Sequence, residues 1–353
     1  MTVAISRTQI SRALEPLRAG EWWDHKLAPM LGTGYLTAFH LRVSLLDLWP
    51  TFVATLVGVA AAAAYVCLIN DLTDLDEDAA AGKYNRLAER NRRYAAAAIA
   101  GVLAVGVAVG VIAWRDDPLA LALYAGPWLA FSLYSLPPLR FKARGAAGAL
   151  ADASGAHLFP HLLIAVAVFD AAGKELDWAW LAAVGIWALA AGIRGALWHQ
   201  LRDVGADIRS GVKTFGARNP ARARFTGRTA FVIEMAAFFG LLWRAGSPLA
   251  FLLLIPYLLL ELARVRLWGV RLIVVSPVPS FRIAMHEYYV CFYPLAFLAA
   301  ATIRHAGDVV VLVVHAALFR GMAVMAARDA KNSLRRLAAR LRAATAPPHR
   351  SPS

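Results

Sequence analysis

Charge is what this sequence has least of. Only 17% of its 353 residues are Asp, Glu, Lys or Arg, against 59% hydrophobic. A soluble globular chain carries about 25% charged and roughly 45–50% apolar residues. Cysteine is nearly absent. The two present, Cys67 and Cys291, both lie inside apolar runs, which excludes a disulfide framework and leaves them as small packing side chains. The first 26 residues hold Arg7, Arg12, Arg18 and Lys26 but no apolar core, so no cleavable signal peptide is expected. Between the apolar runs no polar stretch is long enough for a separate soluble domain.

What is present is a series of uncharged blocks. Residues 48–70, 94–114 and 118–139 contain no charge at all. A spanning helix needs about 20 apolar residues at ~1.5 Å rise each. Shorter or lightly interrupted candidates are 27–46, 153–169, 178–201, 229–243, 245–260, 288–303 and 309–324. The expected fold is therefore all-α, a polytopic transmembrane bundle of nine to ten spans. It would run from 27 to 327, between a cytoplasmic N-terminal segment (1–26) and a basic cytoplasmic tail (328–353).

The net charge of +14 could suggest a nucleic-acid partner, but its placement argues against one. Basic residues fall in alternate loops: five in 83–93, three in 140–144, seven in 202–228 and four in 264–282. The intervening loops carry about one each, which is the positive-inside pattern. It puts the N-terminus and the basic loops in the cytoplasm, and a bacterial plasma membrane is the expected location. A cytoplasmic tail requires an even number of spans, which favours ten. Within that tail, residues 329–341 read as a basic amphipathic helix lying on anionic lipid.

The block 48–70 runs straight into Asn70-Asp71-Leu72-Thr73-Asp74-Leu75-Asp76-Glu77-Asp78, five carboxylates in eight residues. On a continuing helix Asn70, Asp74 and Asp78 form one stripe with Asp71 beside it. Such crowding repels unless a cation is present, and magnesium usually binds through one or two carboxylates plus substrate phosphates. The plain alternative is a solvated acidic loop. A second pair, Asp203 and Asp207, again four apart, follows the block 178–201 and is trailed by Gly211, Lys213 and Thr214. Two such stripes facing each other could hold two or three magnesium ions around a diphosphate. Alone, the second pair would be a weak signal; the pairing makes the case.

These residues resemble a family. Asn70-Asp71-x-x-Asp74-x-x-x-Asp78 is similar to the first motif of the UbiA superfamily of intramembrane prenyltransferases, and Asp203-x-x-x-Asp207 to its second. Between them, the run from Tyr134 through Pro137-Pro138 to Arg140, Lys142 and Arg144 is similar to the segment that family places after its fourth span. The resemblance implies a helical bundle with a central cavity, open to lipid and capped by cytoplasmic loops. Where many members have a tyrosine before the second motif, this chain has His199 and Gln200.

On this reading Asn70, Asp71, Asp74, Asp78, Asp203 and Asp207 hold Mg2+, with Asp71 and Asp74 taking part in catalysis. Lys83, Arg86, Arg140, Lys142 and Lys213 share the charge of the departing diphosphate, unless they only meet lipid headgroups. Aromatic faces favour cations, so Trp128, Phe131 and Tyr134 are candidates for the cavity wall, Tyr134 as a catalytic residue. Arg194 lies nine residues before Asp203, about 13 Å deeper at helical rise. It binds an acidic group of the acceptor or pairs with Glu234 or Asp152. His199 is a candidate acceptor base, and His157 and His161, four apart, are packing or acceptor contacts.

The expected activity is magnesium-dependent transfer of an isoprenyl group from a prenyl diphosphate to a lipophilic, aromatic acceptor. The alternatives are a membrane terpene cyclase on the same diphosphate and a cation-coupled transporter. Transporters place their binding groups near the midplane, whereas these acids sit at helix ends. No obligate protein partner is inferred, and the bilayer is the surrounding phase.

Overall fold

The structure, a computed structural model, describes residues 15–345. The described chain is helical nearly throughout. A short helical entrance (Ala19–Trp22, then a π turn at Trp23–Leu27) leads into α1 (Ala28–Leu41). Then come α2 (Trp49–Thr73), α3 (Leu75–Ala81), α4 (Arg92–Trp114) and α5 (Pro118–Ser135). Next are α6 (Ala146–Ala171, with a π turn at Ser154–Leu158), α7 (Trp178–Ser210), α8 (Pro220–Ala245) and α9 (Pro248–Trp268). Two three-residue strands, Arg271–Ile273 and Phe281–Ile283, pair in parallel before α10 (Tyr288–Arg304), α11 (Val309–Leu318) and α12 (Arg320–Thr345).

Local chemistry sets the helix starts. Asn91 caps α4 through the Tyr94 amide at 2.7 Å, and Asp117 caps α5 through Leu119 and Ala120. Asp177 caps α7 through Trp180 at 3.0 Å. Each supplies an oxygen to an otherwise orphaned N–H. Gly211 ends α7 at φ 73°, a left-handed conformation that glycine adopts without strain.

Helix α1 is the centre of the bundle, buried from Ala28 to Phe39 and packed against α6 and α10. Helix α4 lies outermost, showing Val105, Val107, Val111 and Ile112 to the surroundings, as expected of a lipid-facing helix. The α6–α7 contact is close because Gly192 has no side chain: a Cβ there would meet the Ala153 carbonyl oxygen at 2.8 Å. Gly192→Ala is therefore expected to destabilise by about 1–3 kcal/mol through overpacking. A thermal-melt series in detergent checks this, with Gly195→Ala, which has open space, as the control.

Each of the ten apolar blocks falls largely on helix, although 309–324 is divided between α11 and α12. By length and composition six of these, α2, α4, α6, α7, α8 and α9, qualify as membrane spans. A seventh is added if the bent pair at the C-terminal end counts as one. That pair departs from the single span expected at 309–324, because the chain turns by 79° between Leu318 and Arg320. The ten residues of α11 reach only about 15 Å, half a hydrocarbon core, before Arg320 brings in charge. Beyond the bend, α12 docks on α9. Arg264 joins Asp329 (2.7 Å), Glu287 (2.6 Å) and Glu261 (2.5 Å), and Trp268 donates to Ser333 at 3.2 Å.

Candidate active site

Helix α7 is 33 residues long, about 50 Å, so it overreaches a ~30 Å hydrocarbon core and its last turns stand clear of it. Those turns carry Asp203 and Asp207. Opposite them the first acidic run departs from the expected continuous helix. Helix α2 ends at Thr73 and α3 restarts at Leu75, with Asp74 at the junction. The Thr73 hydroxyl bonds back to the Ile69 carbonyl at 2.9 Å, and Arg140 takes the Thr73 carbonyl at 3.1 Å. Both contacts draw the backbone off the helical path.

The break divides the acids. Asp74, Glu77 and Asp78 line a cavity of about 220 Å³ together with Asp203 and Asp207 from α7. Cations neutralise them. Lys142, only 6% exposed, bonds Asp74 and reaches Glu77 at 3.0 Å, and Arg140 meets Glu77 at 2.7 Å. Lys83 stands 3.6 Å from Asp203, bridging the two acidic helix ends. Thr214, trailing the second pair, donates to Asp207 at 2.8 Å. Asn85 fastens the loop after the first run by donating to Asp78 and to the Asp71 carbonyl, both at 2.8 Å.

A second cavity of about 340 Å³ adjoins the first and reaches into the bundle between α2, α5, α6 and α7. Its wall is largely apolar, with Val59, Ala62, Val66, Pro127 and Phe131. Tyr134 and His199 line both cavities and mark their junction. Asn70 faces the larger cavity and accepts a hydrogen bond from Ser135.

Other expected site residues fall elsewhere. Asp71, 4% exposed, lines neither cavity; it turns to Arg18 at 3.2 Å. Arg86 pairs with Glu21 at 2.5 Å instead of meeting the aspartates. Burial would raise the Glu21 carboxyl, but the Arg18 hydrogen bond and the Arg86 charge outweigh it, and its pKa lies below the ordinary value. Lys213 is exposed and lines neither cavity. Arg194 is engaged by Glu234 through two bonds of 2.6 and 2.7 Å and donates its remaining nitrogen to the Val274 carbonyl. It is half of an interhelical pair and lines neither cavity. Trp128 packs against Tyr65 and Tyr124, away from the inner cavity. Gln200 accepts from the Gly216 amide at 3.0 Å and helps line the smaller cavity.

Sequence reasoning missed Arg18, Glu21, Glu77 and Lys26 as neighbours of the site. Only Glu77 left a signal, as a member of the acidic run; the others sit before the first apolar block.

Among the described residues no three His, Cys, Asp or Glu side chains converge to hold a metal unaided. The donor set is nonetheless all oxygen, spread over two facing helix ends. That suits a hard cation completing its shell from phosphate and water.

Residues 30–272 match the model of the UbiA prenyltransferase family, more than half of the chain. The chain belongs to that family. With its apolar helices this makes it an integral membrane protein. No curated protein matches it. Among solved structures, the fold is similar to a UbiA homologue from Archaeoglobus fulgidus bound to DMAPP and Mg2+. That match has 18% identity over 83% of this chain and 100% of that one, with a TM-score of 0.52. The same homologue with GPP and Mg2+ matches at 18% identity, covering 84% and 99%, with a TM-score of 0.51. A digeranylgeranylglyceryl phosphate synthase matches at 16% identity, covering 83% and 98%, also at 0.51.

Proposed function

We propose that this UbiA-family protein transfers the isoprenyl group of a prenyl diphosphate to a lipophilic, aromatic acceptor and releases diphosphate, with Mg2+ as cofactor. One observation carries the reading. A small cavity rimmed by carboxylates and cations opens onto a larger apolar one, and Tyr134 and His199 stand at the junction. A diphosphate needs the first environment and an isoprenoid tail the second. The Archaeoglobus homologue, bound to DMAPP or GPP with Mg2+, supports a prenyl diphosphate as the substrate.

Asp74, Asp78, Asp203 and Asp207 are the residues that would hold magnesium, with Glu77 beside them. Bound there, the metal supplies Lewis-acid stabilisation of charge on the departing diphosphate, worth several kcal/mol. Lys83, Arg140 and Lys142, now neutralising the carboxylates, offer N–H donors to phosphate oxygens where negative charge grows. Tyr134, at the junction of the cavities, is placed to stabilise the carbon that becomes cationic as the C–O bond breaks, since an aromatic ring face favours that charge. The apolar wall built by Val59, Val66 and Phe131 keeps water from capturing it. His199, at the junction, is placed to orient the acceptor. The protein sits in a bacterial plasma membrane with the acidic cavity at the cytoplasmic face.

The test is diphosphate release by the full chain in lipid nanodiscs supplied with geranyl, farnesyl or geranylgeranyl diphosphate. Chelating magnesium is expected to abolish release, and restoring it to recover the rate. Release that persists in EDTA removes the metal from the mechanism. No release from any of the three, with membrane extract present as an acceptor source, rejects the prenyl transfer reading.

A further inference from the structure

Helix α12 has no part in the chemistry proposed above. Between Arg320 and Arg342 it carries seven basic residues and one acid, Asp329, which is neutralised by Arg264 at 2.7 Å. At about 100° per residue its side chains fall into three sectors. One sector docks. Met322, Ala326 and Ser333 are buried there, and Arg336 and Arg340 reach the Leu267 and Arg266 carbonyls at the end of α9, where a helix leaves its last acceptors open. The next sector is apolar and uncovered, with Leu334, Leu337 and Leu341 exposed by 68%, 46% and 59%. The third is basic. Arg328, Lys331 and Arg335 stand exposed in it, and among the described residues none of them meets a carboxylate.

Spans α7, α8 and α9 follow one another and alternate in direction, so α9 ends at the face where α7 carries Asp203 and Asp207. Asp329, Ser333, Arg336 and Arg340 stretch over about 16 Å of α12, yet their partners on α9 all lie within 264–268. Helix α12 therefore crosses the end of α9, after the 79° bend that follows Leu318. A helix so placed lies along the bilayer surface. Leucines there reach the acyl chains, and Lys and Arg stems extend past them to the headgroups. Unpaired cations beside an apolar stripe need anions and apolar surroundings within one side-chain length. An anionic bilayer surface supplies both.

We propose that α12 is a docking helix for anionic phospholipid. Leu334, Leu337 and Leu341 enter the boundary of the acyl chains, and Arg328, Lys331 and Arg335 hold lipid phosphates. Packing on α9 carries this beyond an amphipathic period in the sequence, because it fixes the rotation of the helix and leaves these two sectors outward. With the one acid of 320–342 held by Arg264, no unpaired carboxylate remains on the helix to repel the phosphates.

The experiment is hydrogen–deuterium exchange on the full chain in nanodiscs, read over the amides of 334–342, with those of α7 as the internal control. Nanodiscs of phosphatidylcholine alone are compared with nanodiscs holding about 30% phosphatidylglycerol, and exchange in the second is expected to be about tenfold slower or more. Raising salt to about 1 M, where the screening length falls to ~3 Å, should remove most of that difference. Lys331→Gln with Arg335→Gln should abolish the dependence on phosphatidylglycerol. Leu334→Ser with Leu337→Ser should speed exchange in both compositions. In every variant the α7 amides should exchange as in the parent. Exchange over 334–342 that is the same in the two compositions overturns the proposal, and needs no variant. So does a phosphatidylglycerol effect that survives Lys331→Gln with Arg335→Gln. Protection that grows with protein concentration in detergent, and not with phosphatidylglycerol, makes a second copy of the chain the occupant and overturns it as well.

Discussion

Asp207→Asn is expected to slow diphosphate release by about 10³-fold. Losing a carboxylate that anchors the metal forfeits several kcal/mol of charge stabilisation, and each ~1.4 kcal/mol is tenfold in rate. The amide keeps the shape and can still accept from Thr214, which now donates to Asp207 at 2.8 Å, so the change isolates charge. Thr214→Val is the companion variant. It unties the carboxylate but leaves its charge, and should cost no more than about tenfold. Release assays at saturating magnesium and across a magnesium titration separate the two, because only Asp207→Asn should also raise the magnesium requirement. An Asp207→Asn protein within about threefold of the parent rate would take the second acidic helix end out of the ionisation site.

The second large effect concerns stability. Arg194 and Glu234 join α7 to α8 inside the apolar bundle, Glu234 being fully buried. Removing one partner leaves an uncompensated charge there, so Glu234→Ala should cost about 3–5 kcal/mol. Replacing both by apolar residues of similar volume, Arg194→Met with Glu234→Leu, should recover most of that loss. The double variant also decides what Arg194 is for. A purely interhelical pair predicts a stable double variant that transfers at near the parent rate. If the guanidinium binds acceptor, stability returns while transfer stays low. Thermal melts and product assays on the same preparations read both.

Much of the membrane architecture was legible along the chain because the bilayer imposes a one-dimensional rule: uncharged blocks of about 20 residues become helices. Residues 94–114 and 178–201 lie within α4 and α7, and all of 48–70 but its first residue lies within α2. The bend within 309–324 was not legible, because hydropathy tolerates one arginine and a bend leaves no mark in a window average. The acidic runs were legible as well, but the direction each aspartate takes was not. Asp71 and Asp74 are three residues apart, yet one turns to Arg18 and the other to the cavity, because α2 breaks between Thr73 and Leu75.

By itself the sequence determined that this protein is an all-helical membrane protein with two acidic helix ends followed by basic loops. Those are properties of composition and period, which survive any arrangement of the helices. Only the tertiary structure decided which charges meet. Lys142 reaches Asp74 and Glu77 across more than sixty positions, and Lys26 meets His157 across more than a hundred. It also decided that Tyr134 and His199 share two cavities. Ion pairs and cavity walls act over a few ångströms and are set by helix packing, which no local spacing along the chain encodes.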